Sequence, residues 1–233
     1  MIRNTFILVI LAGLAIVFVS LFTNFGDSET LSPLAAHYAN NGVEEVGSQN
    51  LVTSVVVTYR GLDTLGEVTI LFLVAAIISF FLKRTNPEKM PTTKRETSEI
   101  IITASKLLVP IVMVLGIYVF INGHLSPGGG FQGGAIIATS VVMLLMANPS
   151  FKINHTVVAT VESVSGIVFV FVGVLGILLA GGFLDNRILP LGNYGTILSA
   201  GAIPIIYSFV GLKVGAELSN ILSNFQGIQK EEM

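Results

Sequence analysis

The stretch Ile101–Ile121 reads IITASKLLVPIVMVLGIYVFI and carries one formal charge, Lys106. An α-helix rises about 1.5 Å per residue, so about 20 such residues cross the hydrocarbon core of a bilayer. The stretch therefore predicts a membrane-spanning helix. Downstream, similar runs occupy Phe131–Ala147, Val157–Ala180 and Tyr194–Leu222, and upstream Leu65–Leu82 and Thr5–Phe22. Together they predict an all-α membrane protein of about six transmembrane helices. Composition agrees: of 233 residues, 52% are hydrophobic and 11% charged, and the mean hydropathy is +0.83. Soluble domains carry about 25% charged residues. The first run is longer than a signal peptide's apolar region, and Thr23–Asp27 offers no small-x-small cleavage pattern, so it is expected to be an uncleaved anchor. The last run is long for one span, and from Lys213 onward it is expected to emerge into the interface or lie against a partner.

Lysine and arginine in short loops set orientation. Arg3 precedes the first run, five basic residues (Lys83, Arg84, Lys89, Lys94, Arg95) crowd the segment between the second and third, Lys152 separates the fourth and fifth, and Lys230 lies near the end. The segment after the first run carries Asp27, Glu29, Glu44 and Glu45, with no lysine or arginine before Arg60. This pattern predicts both termini on the cytoplasmic side of the cell membrane, with Arg187 outside. The basic segment contains Asn86-Pro87 and Met90-Pro91 and predicts a linker over 86–98, separating a two-helix part, 1–85, from a four-helix part, 99–233.

The chain has no cysteine, which excludes disulfides, iron–sulfur clusters and thiolate zinc sites. Its three histidines, His37, His124 and His155, lack a ligand-like spacing, so neither a metal nor another cofactor is expected. Basic residues sit beside apolar runs and form no nucleic-acid-binding patch. No nucleophile–base set suggests a catalytic site belonging to this chain.

Two motifs stand out. His124-Leu-Ser-Pro-Gly-Gly-Gly-Phe-Gln-Gly-Gly134 places five glycines, Gly128, Gly129, Gly130, Gly133 and Gly134, within seven residues after Pro127. They allow close backbone approach. One reading is a helix hairpin whose glycines let the fourth helix pack hard against a neighbour; the other is a backbone surface that coordinates a cation or orders water. The second motif is Thr58-Tyr-Arg-Gly-Leu-Asp-Thr-Leu-Gly-Glu67. Four residues separate Asp63 from Glu67, so both carboxylates lie on one face of a helix starting near Leu62, unless Asp63 caps that helix. Glu67 falls inside the apolar run, where a carboxylate is costly, and Arg60 is its expected partner.

Further charges in apolar runs are Lys106, Glu162, Lys213 and Glu217. Glu162 is a candidate ion-path carboxylate. Lys106 can snorkel to the interface or pair with Glu162. Lys213 and Glu217, four apart, read as a helix pair near the end of the sixth run. Pro110 and Pro204 are expected to bend their helices, and Gly173, Gly176, Gly181 and Gly182 to pack against partner helices.

The glycine string, with Gly211-Leu-Lys-Val-Gly-Ala-Glu-Leu218 downstream, resembles the MnhB-type subunit of Mrp multisubunit sodium/proton antiporters over roughly residues 98–225. Leu51–Leu82 resembles the C-terminal segment of the large Mrp A subunit through Arg60, Gly61, Asp63, Thr64, Gly66 and Glu67. Thr58 stands where that pattern has an aspartate. The resemblance implies a fused antiporter-module subunit that works beside other Mrp-type membrane subunits, with sodium ion and proton as cargo. Related modules in membrane-bound hydrogenases and sulfur reductases make hydrogenase-like redox subunits an alternative set of neighbours. The implied ion path runs through Asp63 and Glu67 on the outer half and Glu162 on the inner half. Arg60 and Lys106 act as charge partners. The alternative role is a structural adaptor that joins such a module to a redox-driven complex.

Overall fold

The computed structural model describes residues 2–23, 31–81, 97–149, 151 and 153–229. Residues 86–96 of the basic linker, Asp27, Glu29, Lys152 and Lys230 lie outside the described residues, as does the side chain of Arg3. Six helices are long and apolar enough to cross a membrane, and no strand occurs among the described residues. The elements are α1 (Ile2–Thr23), α2 (Pro33–Val46), α3 (Leu51–Thr53), a π-helical turn (Ser54–Tyr59), α4 (Gly61–Phe81), α5 (Glu99–Ile121), α6 (Gly130–Ala147), α7 (His155–Leu179), a 3₁₀ turn (Asn186–Ile188) and α8 (Ile203–Gln229).

Two compact units divide at His37/Tyr38. The first contains α1, which is apolar on every face as a lipid-facing helix is expected to be. In the second, α8 is the hub, and α4, α5, α6 and α7 all pack on it. Its core gathers Val57 and Val68 from the π-turn and α4, Phe169 and Val172 from α7, and Ile203, Ile206, Val210 and Val214 from α8. Residues 38–81 thus share one core with α5–α8.

Local chemistry sets several boundaries. The Asn154 side chain accepts hydrogen bonds from Thr156 N (3.1 Å) and Val157 N (3.2 Å), starting α7, and Asn50 caps α3 in the same way. Where the sequence predicts a single run over Tyr194–Leu222, α8 begins only at Ile203. Residues 194–202 instead fold as turns, with Gly195 and Gly201 at φ 82° and 58°. Pro204, expected to bend a helix, sits in the first turn of α8, where no intrahelical bond needs its missing N–H. Pro110 lies inside α5. Leu184 and Ala200 hold φ near 60° while fully buried, so the surrounding core enforces their strained backbone.

Candidate functional site

One end of the bundle is closed by a buried hydrogen-bond network. Thr53 Oγ1 donates to the Gly123 carbonyl (2.7 Å), and Asn50 Nδ2 donates to the carbonyls of Gly123 (2.9 Å) and Ser126 (3.0 Å). Ser48 Oγ and Asn50 N both donate to the His124 carbonyl. Tyr207 on α8 donates its hydroxyl to Thr53. On the other side Asn186 Nδ2 donates to the carbonyls of Val46 (2.8 Å) and Ala200 (3.0 Å). These side chains satisfy the backbone of loops that would otherwise carry unpaired polar groups into the interior. His124 is completely buried, its Nε2 lies 3.2 Å from the Thr196 carbonyl, and its Nδ1 has no hydrogen-bond partner among the described residues. Burial pushes the imidazole below its ordinary range, against the pull of the nearby carbonyls of Thr196, Ile121 and Ile197. Close by, burial and then the hydrogen bond to Glu45 raise the Tyr59 phenol, whose ring stacks on Tyr38. Burial works to raise the Asp185 carboxyl, but the hydrogen bonds and charge of Arg187 hold it below the usual carboxylate range.

The glycine string belongs to this end. Residues 122–129 form the α5–α6 hairpin, and its later glycines line two helix contacts. A Cβ on Gly133 would meet the Gly116 carbonyl oxygen of α5 at 2.6 Å, and one on Gly134 would meet the Gly211 carbonyl oxygen of α8 at 2.7 Å. Gly130 is equally tight against Val210. The geometry is that of close helix packing through small residues. Gly173 and Gly176 are likewise filled from within the chain, by the Phe183 ring and by the backbone of residues 182–185, where packing against a partner was expected.

Arg60 pairs with Asp63, not with Glu67 as the sequence predicts. Both side chains are more than half exposed, and Asp63 lies in the first turn of α4, where its charge also meets the positive end of the helix dipole. Glu67, one turn on, is exposed on the same helix. Helix α4 follows the π-helical turn, closed by a hydrogen bond from Arg60 N to the Val55 carbonyl at 2.8 Å.

The most buried charges are Lys213 and Glu217 on α8, at 6% and 0% relative exposure, joined in an ion pair. They do not emerge into the interface, because α4, α6 and α7 enclose this turn of α8. Lys213 Nζ sits 5.0 Å from the centre of the Phe72 ring, a cation–π contact. Glu217 Oε2 is buried without a hydrogen-bond partner among the described residues. A cavity of about 670 Å³ opens between α4, α7 and α8, lined by Leu65, Val68, Thr69 and Phe72 of α4, by Lys213, and by α7 residues that include Glu162 and Gly166. Glu162 makes no ion pair among the described residues, and Lys106 lies exposed on α5. Glu162 and Lys213 line the same cavity, where the sequence suggested Lys106 as the partner of Glu162. The i,i+4 pairing of Lys213 and Glu217 expected from the sequence is present, and what spacing alone left open is its burial. The available signal was their place in the Gly211–Leu218 string, where flanking glycines permit close neighbours.

Residues 100–220, more than half of the chain, match the family model described as a domain related to the MnhB subunit of the Na+/H+ antiporter. The chain belongs to this MnhB-related family. Residues 2–98 match the MbhE family model, which describes a subunit of MBH. The B-type subunit of the Na(+)/H(+) antiporter of Bacillus subtilis is 38% identical over 88 residues, a match spanning 37% of this chain and 56% of that protein. A chain in the structure of the membrane-bound sulfane sulfur reductase, an archaeal respiratory membrane complex, superposes with TM-score 0.81 at 33% identity, covering 97% of this chain and 98% of that one. A chain of the Mrp complex from Dietzia sp. DQ12-45-1b has the same fold, with TM-score 0.74 at 22% identity over 95% of this chain and 26% of that one. The MnhB-related chain is a multi-pass membrane protein.

Proposed function

We propose that this chain is a membrane subunit of a multisubunit monovalent cation (sodium)/proton antiporter module, lending helices and carboxylates to a path shared with partner subunits. The observation that carries this reading is Glu162, which lines a cavity between membrane-spanning helices and is not closed off in an ion pair among the described residues. An ionisable group inside a span is costly, and one that faces a cavity there marks an ion pathway. Asp63 and Glu67 are the outer members of the path and Glu162 the inner one, with Arg60 tuning Asp63. The subunit has no catalytic site of its own, lies in the cell membrane with both termini cytoplasmic, and joins through the 86–98 linker a two-helix segment to an MnhB-like segment, residues 38–81 sharing the core of the latter.

A second reading, a structural adaptor joining the module to hydrogenase-like redox subunits, is favoured by the end-to-end similarity to a chain of the sulfane sulfur reductase complex. The two readings separate in one experiment. Glu162→Gln and Glu67→Gln complexes that assemble normally on a native gel are tested for sodium-dependent proton movement in inverted vesicles. Lost movement supports the ion path; unchanged movement in both variants leaves the adaptor role.

A further inference from the structure

Charge arithmetic around the α4–α7–α8 cavity is unbalanced. Glu162 and Lys213 line the cavity, and the fully buried Glu217 is paired with Lys213: among the described residues, two carboxylates and one ammonium. Among the described residues, the other titratable group that the helices packed on α8 bring near this part of α8 is His155 at the start of α7, whose Nδ1 lies 3.3 Å from Asn220 Oδ1, one turn beyond Glu217. Helix α6 has none in its sequence, α4 faces the cavity through Leu65, Val68, Thr69 and Phe72 while its Glu67 is exposed, and Lys106 of α5 is exposed. With both carboxylates ionised, the site is one positive charge short in a low-dielectric setting, where an uncompensated charge is strongly disfavoured. One proton or one monovalent cation restores neutrality; a divalent cation overshoots it.

The geometry also gives Lys213 a second place to go. Its stem runs past Gly166 of α7, where an added Cβ would lie 3.6 to 3.9 Å from Cδ, Cε and Nζ. Glu162 stands four residues before Gly166, on the same face of α7 and on the wall of the same cavity. The open surface of Gly166 leaves the flexible lysine stem free to swing from Glu217 toward Glu162.

We propose that Glu162, Lys213 and Glu217 form one exchange site, in which Lys213 moves between the two carboxylates and thereby couples a proton to a monovalent cation. In the observed arrangement Lys213 neutralises Glu217, which leaves Glu162 to take a cation. A proton arriving at the buried Oε2 of Glu217 neutralises that carboxylate and frees Lys213. The ammonium then pairs with Glu162 and displaces the cation into the cavity. One proton enters, one cation leaves and the charge of the site is constant; loss of the proton reverses the cycle. This inference rests on the antiport reading and names the groups that perform it.

The test uses the purified complex containing the full chain, treated with a hydrophobic carbodiimide that modifies protonated membrane carboxyls, with modified peptides identified by mass spectrometry. In the wild type, Glu162 labelling should fall when sodium or potassium chloride is added and stay unchanged with choline chloride at equal ionic strength. In Glu217→Gln, Lys213 has Glu162 alone to pair with. Labelling of Glu162 should drop on the order of tenfold and lose its cation dependence. Gly166→Leu, which obstructs the path of the lysine, should keep cation protection of Glu162 but reduce vesicle exchange by a similar factor. Wild-type labelling indifferent to both cations overturns the proposal, as does unaltered cation dependence in Glu217→Gln or normal exchange in Gly166→Leu. Any of these in a complex that still exchanges cations for protons leaves the antiport reading standing; a wild-type complex that exchanges neither cation removes both.

Discussion

Gly133 of α6 and Gly116 of α5 approach so closely that a methyl group on Gly133 would lie 2.6 Å from the Gly116 carbonyl oxygen and 2.9 Å from Phe120 Cβ. Both obstacles belong to a packed helix and cannot rotate away. Gly133→Ala should therefore destabilise the chain by about 1–3 kcal/mol, the usual cost of overpacking. Thermal unfolding of the full chain in detergent checks this. Gly66→Ala is the control, because a Cβ there meets nothing within 4 Å. It should be neutral, or stabilising by up to about 1 kcal/mol through helix propensity.

Asn186 is fully buried and donates to two carbonyls from different parts of the chain, Val46 and Ala200. In Asn186→Ala both acceptors lose their side-chain donor in a place water does not reach. A loss of about 1–3 kcal/mol is expected. Faster proteolysis within residues 180–202 should accompany it, because these bonds hold that connection down. Wild-type cleavage rates there would contradict the assignment.

His124 gives a pH dependence with a definite sign. Burial lowers its pKa from the ordinary 6.5, so the folded chain keeps the ring neutral where the unfolded chain begins to bind a proton. Stability is therefore full above about pH 6.5 and falls on acidification until the folded value is reached. Melting temperatures measured from pH 8 to pH 5, about one and a half units either side of that ordinary value, should decline on the acid side. His124→Gln should flatten this part of the curve.

For the Lys213–Glu217 pair, Lys213→Met alone leaves a carboxylate at 0% exposure without its counter-ion. The expected cost is about 3–5 kcal/mol, whereas the double variant Lys213→Met/Glu217→Leu should recover most of it. Recovered stability without recovered exchange in the vesicle assay would separate the pair's ion-handling role from any structural one. A double variant with normal exchange would make the pair a structural feature only.

Residue chemistry and spacing determined the fold class directly. Six apolar runs each long enough for a bilayer, the lack of cysteine, and the His124–Gly134 and Gly211–Leu218 strings were enough to predict a helical membrane protein and its MnhB resemblance. Such features are local, because a span depends on the hydropathy of its own residues and a glycine string on its own spacing. The sequence also picked out Glu162 as a costly charge. What tertiary structure decided is which charges meet. Arg60 turned to Asp63, Glu162 opened onto a cavity with Lys213, and the pair on α8 was enclosed by α4, α6 and α7. Hydropathy shows that a helix is in the membrane but not which face meets protein and which meets lipid, since both are apolar. The partner of a buried charge is set by helix rotation and crossing, which arise only when all the helices pack together.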